Sequence, residues 1–64
     1  MYVLCKSFKE IEGKIYEVFG IECDNMRIDD ISTDRERVEH LIKLANELSL
    51  STIHIRDAVL DFIL

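Results

Sequence analysis

Cys5, Cys23, His40 and His54 are the residue types from which a tetrahedral zinc site is built. Such sites draw their ligands in close pairs along the chain, CxxC or HxxxH. Here the four are spread widely and almost evenly, and no such pair occurs. Unpaired cysteines usually serve as small buried hydrophobes, and that is the role expected of both. No metal and no cofactor is expected.

His54, Asp57 and Asp61 fall on one polar line of a helix, with His54 and Asp57 three residues apart. An imidazole–carboxylate pair is within reach, and Ser51 and Thr52 stand close in sequence as hydroxyl nucleophiles. A working dyad would need more than this. No GxSxG elbow, P-loop or HExxH is present. The expectation is a solvated helix face and no catalytic residue. Asp24, Asp29, Asp30 and Asp34 form an acidic cluster. A calcium loop needs alternating oxygen ligands and a glycine at its sharp turn, and this cluster has neither. These carboxylates read as turn and cap residues. A second reading keeps them together as a patch that imitates a phosphate backbone.

Charge narrows the partners. Eight Lys and Arg stand against thirteen Asp and Glu, a formal charge of −5. Nucleic-acid recognition rests on a basic face, and the charge here segregates the other way. Residues 1–20 balance, whereas residues 21–34 set Glu22 and the four aspartates against Arg27 alone. Direct nucleic-acid binding is not expected. No apolar stretch approaches the ~18 residues of a membrane span, so no membrane partner is expected either. The start, Met1-Tyr2-Val3-Leu4-Cys5-Lys6, lacks a basic leader and a long apolar run, which reads as cytoplasmic rather than secreted. A chain of 64 residues makes a single domain, 1–64, and buries only ~60% of its unfolded surface. Nearly every apolar side chain is needed for the core.

The elements follow from periodicity. Residues 2–8 and 15–23 alternate as strands, with Tyr2, Leu4 and Phe8 on one side of the first and Ile15, Phe19, Ile21 and Cys23 on one side of the second. Gly13 suits the end of a four-residue hairpin loop, which sets Phe8 opposite Ile15, Lys6 opposite Glu17 and Leu4 opposite Phe19. A two-residue loop at Glu12-Gly13 keeps the same faces in a shifted register. In either case Cys5 and Cys23 point to opposite faces. Asp24-Asn25 marks a turn, and a short third strand runs from Met26 to about Ile31. Thr33 with Glu36 fits a capping box for a helix ending near Asn46 or Glu47. Its apolar stripe is Val38, Leu41, Ile42, Leu44, Ala45 and Leu48. Ser51 or Thr52 opens a second helix, whose core stripe is Ile55, Ala58, Val59, Phe62 and Ile63. The order is β-β-β-α-α: an α+β fold, a three-stranded antiparallel meander with two helices packed on one face.

The runs Tyr16–Ile21, Asp30–Asp34, Leu44–Asn46 and Ile53–Phe62 resemble a family of short proteins of Gram-positive anaerobic bacteria known only as a domain of unknown function. The resemblance implies a bacterial, cytoplasmic, stand-alone domain. It carries over no catalytic or binding residue.

The remaining apolar residues carry the functional expectation. Ile53, Leu60 and Leu64 lie nearly opposite the core stripe of the second helix. One small globule hardly supplies two layers to cover such a helix. The reading is a non-enzymatic interaction domain that offers Ile53, Leu60 and Leu64, with Leu50, to a second copy or another protein. The alternative is an acidic inhibitor that uses Asp24, Asp29, Asp30 and Asp34 to mimic nucleic acid.

Overall fold

The computed structural model describes residues 1–63, Ile63 by its backbone alone. The elements are β1 (Val3–Ile11), β2 (Lys14–Cys23), β3 (Met26–Ser32), α1 (Arg35–Glu47) and α2 (Thr52–Ile63). The strands form one antiparallel sheet in the order β1-β2-β3. Both helices pack on one face of it, as the alternation of apolar residues requires. The core joins Tyr2, Phe19, Ile21 and Ile31 of the sheet layer to Val38, Leu41 and Ala45 of α1 and to Ile55 and Val59 of α2.

The hairpin register differs from the expected one. Ile11 pairs with Lys14, so the loop is Glu12-Gly13 alone. Both residues have positive φ, 51° and 80°, which makes a primed turn whose twist matches that of the strands. The tighter loop adds the pairs Glu10–Ile15 and Ile11–Lys14 and sets Phe8 opposite Glu17, Lys6 opposite Phe19 and Leu4 opposite Ile21. The apolar faces are unchanged, because the shift is by an even number of residues. The strands now reach beyond the helices. The molecule is 38 Å long, close to the ~33 Å span of a ten-residue strand.

β3 carries a bulge. Ile21 pairs with Ile28 and Phe19 with Ser32, so three residues of β3 face Gly20 alone. Asp30 adopts φ 56° within it, a conformation that Asp tolerates better than most. The bulge lets Ile28 and Ile31, three apart, both turn toward the helices. It also draws the Ile28 carbonyl over Gly20, where a Cβ would lie 2.0 Å from that oxygen.

Asp34, not Thr33, caps α1: its carboxylate accepts from the Arg37 N–H at 3.4 Å. At the other end Ser49 takes φ 50° and the Leu50 N–H returns to the Ala45 carbonyl. This left-handed cap satisfies the last carbonyls and turns the chain into α2, where the N–H groups of His54 and Ile55 donate to the Ser51 carbonyl.

A side-chain clip ties α1 to the start of β1. Asn46 accepts from the Tyr2 N–H at 2.8 Å and donates to the Tyr2 carbonyl at 3.0 Å. The Tyr2 hydroxyl donates to the Leu50 carbonyl at 2.7 Å. Asn46→Ala leaves two half-buried backbone groups unpaired and is expected to cost ~1–3 kcal/mol. Urea unfolding checks this; Asn46→Asp, which keeps one acceptor but no donor, should not restore the loss.

Candidate interaction surface

α2 is apolar on two sides, and the core uses one of them. Ile55 is fully buried and Val59 nearly so, with Ala58 and Phe62 packed against the same cluster. Phe62 stacks under the Arg37 guanidinium of α1, 4.9 Å from its ring centroid, a cation–π contact that fixes the helix pair. The opposite side remains in solvent. Ile53 is 80% exposed and Leu60 58% exposed. They sit seven residues apart, two turns along one line of the helix. Leu64 lies outside the described residues. Leu50 is not free in the same way: it is half-buried and packs against the core.

Leu60 also borders an open groove between α2 and β3. Ile28, Ile31 and Val59 give it an apolar floor, and Arg56, Asp29 and Asp30 complete its wall. Two exposed charges, Arg56 and Asp57, flank the Ile53–Leu60 line.

The acidic residues are spread over separate tasks. Asp29 accepts from Arg27 at 2.7 Å, and Asp30 from Lys9 at 2.6 Å. Asp34 caps α1, and Asp24 sits exposed in the β2–β3 turn. Hydrogen bonding to Asp29 holds Arg27 in its charged form. Three of the four carboxylates thus have a local partner.

Cys5 and Cys23 are free thiols on opposite faces of the sheet. Cys23 packs against the core on the helix side. Cys5 is buried on the other side, beside Gly20 and beneath Asp29, whose carboxylate lies 3.7 Å from Sγ. Burial pushes its pKa up, Arg27 opposes this, and Asp29 adds to it. A thiol held neutral in this way is a poor nucleophile. His40 and His54 are exposed. Among the described residues, no hydrogen bond joins His54 to Asp57, and no group of three or more His, Cys, Asp and Glu side chains gathers as a metal site.

One surface escaped the sequence reading. Phe8 and Ile15, assigned to the covered face, are 67% and 72% exposed. They do lie on the helix side of the sheet, but the longer hairpin carries them past the helices. Ile11 and Tyr16 are exposed on the other side of the same arm. Only the loop length distinguished the two outcomes.

The chain matches no family model, no curated protein and no solved structure. No helix among the described residues is long and apolar enough to cross a membrane.

Proposed function

We propose that this chain is a non-enzymatic protein-interaction domain that binds another protein through the outward face of α2. The observation that carries this reading is the exposure of Ile53 and Leu60 on a helix whose other side already completes the core. Covering each would contribute ~1.5–3 kcal/mol, which is a strong incentive for a partner and a liability without one. The occupant is an apolar helix or loop that lays its anchors along Ile53 and Leu60 and into the groove beside β3. Charge sets its character. The net −5 of this chain favours a partner surface of positive or neutral charge and rejects acidic ones.

Leu60→Asp tests the proposal. Leu60 is more than half exposed, so the variant should stay folded at a cost of ~1 kcal/mol, from lower helix propensity and an added acid in the last turn. The immobilised wild-type chain should retain a specific protein from extracts of its own organism, and Leu60→Asp should lose it. Charge reversal of Asp24, which is exposed in the β2–β3 turn and lies outside the groove beside β3, should leave capture in place. The opposite pattern, with loss on charge reversal and at raised salt but not with Leu60→Asp, would support the nucleic-acid-mimic reading.

A further inference from the structure

The two-residue turn fixes which backbone groups of β1 are free. Ile11 and Lys14 close it as a hydrogen-bonded pair. Counting back along β1, Lys9, Ser7, Cys5 and Val3 also aim their N–H and C=O groups at β2. Glu10, Phe8, Lys6 and Leu4 aim theirs away from it. Among the described residues no strand lies on that side, since β1 is the edge of the sheet. Tyr2, next in the alternation, also points outward, and its two groups are taken by Asn46. The clip covers one end of the edge and leaves Leu4–Glu10 open.

A strand edge of this length is a template for another chain, and the sequence of β1 complements itself. We propose that a second copy of this chain docks antiparallel along β1, with the two Phe8 residues facing each other across a two-fold axis. The two sheets then join into one of six strands. In this register Lys6 of each copy faces Glu10 of the other, so the outward-pointing pairs are two ion pairs around an aromatic pair. On the reverse face Cys5 meets Ile11 and Ser7 meets Lys9. Neighbouring registers fail. Centring on Ser7 sets Lys6 against Phe8 and Leu4 against Glu10. Centring on Lys9 sets lysine against lysine. The exposure of Phe8 fits the proposal, because it lies past the helices where the edge can be reached. The surface is separate from the α2 face: among the described residues, α2 does not contact β1.

The test is a charge swap followed by sedimentation equilibrium up to about 1 mM, a range suited to a small interface. The wild type should dimerise reversibly. Lys6→Glu and Glu10→Lys each put like charges at both cross-copy pairs and should weaken the dimer about tenfold. An equimolar mixture of the two variants restores both pairs and should form a heterodimer as tight as the wild type, as should the double variant with itself. Lys6 also reaches Glu17 at 3.6 Å within one copy, with both side chains about half exposed. Thermal unfolding of each variant therefore accompanies the measurement, and the mixture shows that a weakened variant is still folded. Leu60→Asp should leave this dimer intact, which separates it from association through α2. A wild type that stays monomeric throughout, single variants that associate as the wild type does, or a mixture that shows no heterodimer would each overturn the proposal.

Discussion

Gly20→Ala should remove most of the protein's stability and leave a substantial unfolded fraction at room temperature. The added methyl would meet the Ile28 carbonyl oxygen at 2.0 Å and the Asp29 Cα at 3.0 Å. Both are backbone atoms, so no rotamer change relieves the clash. Either β2 or the bulge of β3 must move, and with the bulge go the ladder bonds beside it and the packing of Ile31 against the core. Overpacking costs ~1–3 kcal/mol even where side chains can yield, and each ladder bond lost adds ~0.5–1.5 kcal/mol. With two such bonds lost the sum is ~2–6 kcal/mol, against a total of ~3–5 kcal/mol for a core of this size. Far-UV circular dichroism of the variant should show lost structure at 25 °C. A melting temperature within a few degrees of the wild type would mean that the bulge does not press on Gly20.

The second large effect separates the two sides of α2. Ile55 has no exposed surface and Ile53 is 80% exposed, though only two residues separate them. Ile55→Ala should cost ~2–5 kcal/mol, through lost burial and the cavity left beneath α2. Ile53→Ala should change stability by no more than ~0.5 kcal/mol. Paired urea titrations measure both. Equal losses would mean that Ile53 is covered in the isolated chain, and the α2 face would cease to be a docking surface.

Much of this was legible from residue order. Alternation in β1 and β2, the Asp24-Asn25 turn and the stripes of both helices specified an α+β meander with two helices on one face, and the structure has that architecture. The opposite facing of Cys5 and Cys23 also followed, since any even shift of register preserves it. Three features were less accessible. The loop length was ambiguous because two- and four-residue loops bury the same faces. Only the closer match of a primed turn to strand twist selects Glu12-Gly13, and Glu12 in the left-handed region gives little signal in advance. The bulge did leave a trace. Ile28 and Ile31 cannot both face one side of a regular strand, and Gly20 stands where a close backbone approach is needed. The shift of the cap from Thr33 to Asp34 is a contest between two competent capping residues one position apart.

The candidate surface divides in the same way. The two-sided character of α2 is a property of spacing alone, so Ile53 and Leu60 could be named before any fold was known. Leu50 could not be placed, because its packing depends on the left-handed Ser49 and on the Tyr2 hydroxyl that meets its carbonyl. The acidic residues illustrate the reverse. Close in sequence, three of them take separate local partners: Lys9, Arg27 and the N-terminus of α1. The exposed arm of Phe8 and Ile15 depended on the hairpin register, and the register was the least determined quantity in the chain.

Site-specific photocross-linking in the living cell addresses the role of α2 most directly. A benzophenone side chain placed at position 60, at position 53, or at Lys43 on the outer face of α1 reports what each surface touches. The account predicts a discrete cross-linked protein from positions 60 and 53 and none from position 43. Equal capture from all three, or capture from position 43 alone, would contradict it.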